Sequence, residues 1–197
     1  MKAFEGFKSE ANGGKTAMLP AGPYVAKIIN VKIDGDEPDQ SLILRLDIAE
    51  GEYAGYYTAR YKADEEWKNS QYPPKYKGDL RIRIPNPDNK KAMYPESDLR
   101  RFNDAMYRIE QSNPGYAWDW NERGLIGRIV GVNVRAGTYN DSAYTKPYRL
   151  EIADDVRKGI VQPMEPMQPR GDAYEPQNAT DQQTGFTVVP EQDTPWF

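Results

Sequence analysis

The chain has 197 residues, neither Cys nor His, 12% aromatic residues and a net charge of −4. That length suits one domain with extensions, or two small ones. The composition excludes a disulfide framework, thiol catalysis, Cys- or His-ligated metal and the usual general base, and no run of apolar residues is long enough to span a membrane.

Residues 1–20 mix Gly, Lys and Ser without a period and read as a flexible arm, with Phe4 and Phe7 available to dock on the body. The start, MKAFEGFKSEANGGK, has no apolar stretch of the secretory kind. A cytoplasmic protein is therefore expected. A domain over 21–160 follows. In YVAKIINVKI (24–33), Val25, Ile29, Val31 and Ile33 fall on one face, and DGDEPDQ (34–40) is a turn by its Gly, Pro and Asp. SLILRLDIAEG then alternates cleanly, Leu42, Leu44, Leu46 and Ile48 against Ile43, Arg45 and Asp47, which predicts a half-buried strand.

Gly51 and Gly55 bracket a turn into YYTARYKA (56–63), whose Tyr and Thr predict a third strand. DEEWKNSQYPPKYKG (64–78) reads as a long loop, after which LRIRI (80–84) alternates again. Ser97 is placed to cap a helix over 97–111, with Leu99, Phe102, Met106 and Ile109 as its apolar stripe and Asn113-Pro114-Gly115 as its stop. Trp118 and Trp120 follow and read as a structural cap on the base of the body. LIGRIVGVNVRAG (125–137) and TKPYRLEIA (145–153) predict the last two strands, joined by a hairpin loop. The order β-β-β-α-β-β with one helix matches a five-stranded OB-fold barrel. A helix packed on an open antiparallel sheet fits the same pattern.

From Val161 the sequence turns Pro- and Gln-rich and nearly free of Ile, Leu and Val. Such a segment buries too little apolar surface to offset its ordering entropy, so a disordered tail over 161–197 is expected. It carries six acids and one Arg, net −5, which leaves +1 on residues 1–160. It ends on the aromatic pair Trp196-Phe197. A terminal Phe brings ring and α-carboxylate together, a shape that a partner pocket with an apolar floor and a basic rim captures. Asp193, Pro195, Trp196 and Phe197 are the candidate partner-binding tip.

Rings and cations interleave between Tyr53 and Arg83. Tyr56, Trp67, Tyr72 and Tyr76 alternate with Arg60, Lys62, Lys75, Lys77, Arg81 and Arg83. Single-stranded nucleic acid is held by these two kinds of group, bases on rings and phosphates on cations. Half-buried tyrosines beside a solvated charged face give the same pattern. The position decides for binding, because the second and third strands of an OB barrel and their loops form its usual groove. Arg45 projects from the second strand away from its apolar side, and Tyr139, Tyr144 and Lys146 flank the last hairpin, the other loop lining such a groove. No nucleotide loop, paired-carboxylate site or metal motif is present, so neither an enzyme nor a cofactor is expected.

The combination resembles bacterial and phage single-stranded DNA-binding proteins, which join an OB-fold body to a disordered linker and an acidic tip ending Asp-x-Pro-Phe. Here the tip reads Asp193-Thr194-Pro195-Trp196-Phe197, with Trp196 inserted. The body looks like the phage-encoded branch at Leu19-Pro20-Ala21-Gly22-Pro23-Tyr24, at Glu50-Gly51-Glu52-Tyr53-Ala54-Gly55-Tyr56, and at Gly127-Arg128-Ile129-Val130-Gly131-Val132-Asn133-Val134. The resemblance implies protection of single-stranded DNA in replication, recombination or repair, in host cytoplasm, with partner enzymes recruited by the tip. Two other classes stay open: a β-barrel protein-interaction or virion-structural module, and a carbohydrate-binding module. Homo-oligomer formation is open as well.

Overall fold

The computed structural model describes residues 17–66, 73–86, 88–89, 95–140 and 142–167. Five strands form one antiparallel sheet: β1 (Gly22–Asp34), β2 (Ser41–Ile48), β3 (Asp79–Arg83), β4 (Ile129–Tyr139) and β5 (Ser142–Glu151). Their order across the sheet is β3-β2-β1-β4-β5. β1 pairs with both β2 and β4, so β1 to β4 form a Greek key, three strands in succession and the fourth beside the first. The sheet is open, yet its edge strands β3 and β5 come within 8 Å of each other at Cα, with no ladder joining them among the described residues.

Alternation builds the inner face. Leu42, Leu44, Leu46 and Ile48 of β2 are buried with Ala26 and Ile28 of β1, Leu80 and Ile82 of β3, Val130, Val132 and Val134 of β4, and Leu150 of β5. A helix, α2 (Pro95–Ser112), adds Phe102, Ala105, Met106 and Ile109 to this core. Leu19, just before β1, is fully buried. Its N–H donates to the Tyr56 hydroxyl at 2.9 Å and its carbonyl accepts from Thr145 Oγ1 at 2.8 Å. The stretch entering β1 is thus tied to both sides of the sheet.

Several elements differ from the sequence expectation. Residues 56–63 are not a strand. They belong to the helix α1 (Tyr56–Glu66). The cap of that helix comes from β2: Asp47 Oδ1 accepts from the Tyr57 N–H at 2.9 Å, holding the first turn from ten residues upstream. The buried Tyr57 ring then packs on Gly78, where an added Cβ would lie 2.4 Å from the Leu46 carbonyl oxygen and 2.8 Å from that ring. The third strand is the later segment Asp79–Arg83.

The β1 pattern also breaks. A bulge between Ile28 and Asn30 reverses the alternation, so Ala26 and Ile28, not Val25 and Ile29, share the inner face with Val31 and Ile33, which pair with Leu44 and Leu42. A second irregularity between Asn133 and Val134 brings Pro147 opposite Val134 and leaves Tyr148 exposed, off the Leu150 face. α2 starts at Pro95, before Ser97, and its Leu99 is 48% exposed. Residues 122–125 form a 3₁₀ turn ahead of β4, and Ile126 is exposed. A short helix, α3 (Ala153–Arg157), follows β5, anchored by Arg157 to Glu50 at 2.7 Å. No described helix is long and apolar enough to cross a membrane.

Candidate nucleic-acid interface

The outer face of β2–β3 gathers part of the predicted set. Register places Arg45 opposite Asp79, Ile43 opposite Arg81 and Ser41 opposite Arg83, and continues onto β1 with Asn30, Lys32 and Asp34. β3 buries Leu80 and Ile82 and turns Arg81 and Arg83 to solvent, as its alternation requires.

Arg45 is the centre of the aromatic part. Its Nε and Nη2 donate to the two oxygens of Asp79 at 2.9 and 3.1 Å, a bidentate pair. Its guanidinium carbon lies 4.6 Å from the centre of the Tyr76 ring. Asp79 holds the Arg45 guanidinium more firmly protonated than usual. Tyr61 of α1 packs on Tyr76 at 5.8 Å between centroids, and Tyr57 packs on Tyr76 as well, at 6.2 Å. The Tyr76 hydroxyl donates to the Leu46 carbonyl at 3.0 Å. Burial pushes the Tyr76 phenol up to about 12, so it stays neutral at any ordinary pH. Tyr76 is therefore a fixed ring, held at its edge by the backbone and on its face by a cation.

The remaining cations of this face have acidic partners. Arg81 bonds to Asp34, which also accepts from Lys32 at 3.3 Å. The Arg81 hydrogen bond, then the Lys32 one, holds the Asp34 carboxyl below its usual range. Arg83 bonds to Asp39 in the β1–β2 loop and lies 3.7 Å from Asp98 at the start of α2. The face is thus charge-balanced. Apart from Asp98, whose side chain is mostly buried, these pairs are solvent-exposed, and exposed pairs contribute only about 0–1 kcal/mol. A phosphate can displace the carboxylates at little cost.

Other predicted residues lie elsewhere or have other roles. The Tyr56 hydroxyl accepts from Leu19 N–H and from Arg60 Nη1, both at 2.9 Å, and donates to Ala17 O at 2.9 Å. Tyr56 and Arg60 therefore clamp the arm onto α1. Lys62, Lys75 and Lys77 are exposed. Trp67, Tyr72 and the tip residues Asp193, Pro195, Trp196 and Phe197 lie outside the described residues.

Tyr139, Tyr144 and Lys146 sit on β4–β5, separated from β2 in the sheet by β1. Tyr139 is 72% exposed. The Tyr144 ring lies across Gly137, where a Cβ would be 2.8 Å from its Cζ and hydroxyl, and Lys146 Nζ is 5.9 Å from its centre. The start of the expected tail runs over this strand. Asn133 Nδ2 donates to Gln162 O at 2.9 Å, Arg135 Nε to Glu165 O at 2.6 Å, and Met167 N–H to Ala136 O at 2.8 Å. Sequence reading missed this docking because its hydrogen bonds go to the tail's backbone, with the Met167 side chain reaching Gly137. It also missed Tyr61 as the partner of Tyr76, since that contact depends on 56–66 being a helix. The signal for that helix was present in Ala59, Arg60, Lys62, Ala63 and Glu65, all helix formers.

No protein-family model matches the chain, and no curated protein matches it either.

Proposed function

We propose that this protein binds single-stranded DNA across the outer face of β2–β3, without catalysing a reaction. The observation that carries the reading is the Arg45–Tyr76–Tyr61 cluster beside the exposed Arg81 and Arg83. It puts fixed rings and exchangeable cations on one surface, the two groups that bases and phosphates need. The sheet supports the same reading. A Greek key whose edge strands β3 and β5 approach each other is consistent with a partly open OB barrel. In that reading the β1–β2 loop, with Asp39, and the β4–β5 hairpin, with Tyr139 and Tyr144, border the groove. Trp67 and Tyr72, in the segment between α1 and β3, add stacking rings.

The tip Asp193-Thr194-Pro195-Trp196-Phe197 recruits replication, recombination or repair enzymes through its ring and carboxylate, at the end of an acidic linker. A phage-encoded protein acting in host cytoplasm fits this pairing of body and tip.

The test is competition. Labelled oligo-dT bound to the full chain should be displaced by unlabelled single strand and not by the same mass of duplex. Displacement by both alike, or no binding, removes the proposal. Displacement by an oligosaccharide instead would assign the rings to sugar stacking.

A further inference from the structure

Trp120 has a left-handed backbone, φ 64°, a region that bulky side chains rarely occupy and that surrounding structure must enforce. Two side-chain turns bracket it. Asp119 Oδ1 accepts from Asn121 N–H at 3.1 Å, and Asn121 Oδ1 accepts from Arg123 N–H at 3.2 Å. The Trp120 indole stacks on Phe102 of α2, centroids 5.6 Å apart and planes 14° apart. Trp118 leans on both rings, 6.2 Å from Phe102 and 6.0 Å from Trp120.

Phe102 is buried, so Trp120 is the outer layer of this pile, and it is 67% exposed. One indole face covers Phe102, and the strained backbone leaves most of the rest of the ring in water. The result is a flat indole face of fixed orientation, open to solvent, which is what stacking on another planar ring requires.

Its place in the fold narrows the ligand. Arg83 lies 3.7 Å from Asp98, and Phe102 stands one turn further along α2, about 6 Å of helix rise. Phe102, which carries the platform, is therefore one helical turn from the carboxylate that Arg83 reaches. Arg101, next to Phe102, is exposed.

We propose that Trp120 is a stacking site for a nucleobase, where a single strand leaving the β2–β3 face beyond Arg83 passes onto the first half of α2. This rests on the single-strand reading above and adds a site to it.

Length-stepped binding tests it. The full chain is titrated with labelled oligo-dT from about 4 to about 16 nucleotides, the span that one such barrel covers. Trp120→Gly removes the ring and accepts the left-handed backbone without strain. It should bind the shortest oligomers as wild type does and the longest about tenfold more weakly, one lost base stack. Trp120→Phe should restore most of that loss. Equal affinities for wild type and Trp120→Gly at every length overturn the Trp120 site and leave the β2–β3 reading standing. Wild type that binds no oligomer overturns the single-strand reading itself. Reduced self-association in Trp120→Gly, read by sedimentation, with oligo-dT affinity unchanged, also overturns the proposal and assigns the indole to a second copy of the chain.

Discussion

The Arg45 guanidinium sits 4.6 Å above the Tyr76 ring, and each residue is fixed by a bond to something else. Asp79 holds the cation in a bidentate pair, and the Leu46 carbonyl holds the phenol. Stacking and stability therefore separate at Tyr76. Tyr76→Phe keeps the ring and loses the hydrogen bond to Leu46. It should lower unfolding free energy by about 1 kcal/mol and leave oligo-dT affinity unchanged. Tyr76→Ala should lower both. Urea unfolding and fluorescence anisotropy on the two variants check this. Equal losses of affinity in both would mean that the hydroxyl, not the ring, meets the ligand.

Asp34 and Asp39 occupy the guanidinium groups of Arg81 and Arg83. Asp34→Asn and Asp39→Asn should free those cations for phosphate. Oligo-dT binding should tighten, and its salt dependence should steepen by up to roughly 0.7 for each additional phosphate that the freed arginines neutralise. Weaker binding in the neutralised variants would show that the carboxylates orient the arginines for the ligand rather than compete with it.

Acid should weaken two tethers, Asp34 to Arg81 on the sheet and Glu50 to Arg157 of α3. The Asp34 carboxyl is lowered chiefly by its hydrogen bond from Arg81, and the Glu50 carboxyl by its hydrogen bond from Arg157. A group whose folded value is depressed contributes stability above its unfolded value. That contribution is lost as pH falls through the folded value. The thermal midpoint should therefore drop below about pH 4. Glu50→Gln and Asp34→Asn together should flatten that drop. An unchanged pH profile in the double variant would mean that other carboxylates control acid unfolding.

Gly78 separates the Leu46 carbonyl from the Tyr57 ring. Gly78→Ala places a methyl against backbone on one side and a buried ring on the other, and neither can move freely. It should cost about 1–3 kcal/mol, read by urea unfolding. A neutral effect would show that α1 shifts away from β2 readily.

Much of the sheet was legible because its signals are local. The alternation of Leu42 to Ile48 and of Leu80 and Ile82 marks faces directly, and these residues are in the core. Arg81 and Arg83 face solvent for the same reason, but β2 is not half-buried as its alternation predicts: it buries Ser41, Ile43 and Asp47 as well and leaves Arg45 partly exposed. What was not legible depends on partners distant in sequence. The helix at 56–66 is capped by Asp47, and its Tyr residues pack against Tyr76. Within the segment, Tyr and Thr argue for a strand while Ala, Arg and Lys argue for a helix, and the distant cap decides. The Ile28–Asn30 bulge inverts a pattern that otherwise reads as regular. Leu99 matches the helix stripe, yet it belongs to the first turns of α2 and is exposed. At the candidate site, residue types were readable and pairing was not. The cations of β2 and β3 could be named from sequence, while their neutralisation by Asp34, Asp39 and Asp79 follows only from register and loop position.

The tip is tested by its chemistry. Deleting Asp193–Phe197 should abolish recruitment of partner enzymes and leave DNA affinity equal or slightly higher, because an acidic tail competes with phosphate. Appending one Gly after Phe197 keeps every side chain and moves only the carboxylate. Partner binding, measured by calorimetry, should weaken. Binding that survives both changes makes the tail a solubilising segment.

The most direct measurement is oligo-dT affinity as salt is raised, for wild type and for Arg81→Ala with Arg83→Ala. The account predicts that log affinity falls linearly with log salt. It predicts a slope shallower by roughly 0.7 for each phosphate that the double variant no longer neutralises. Affinity that ignores salt, or a slope that is the same in both proteins, would contradict single-strand binding on the β2–β3 face.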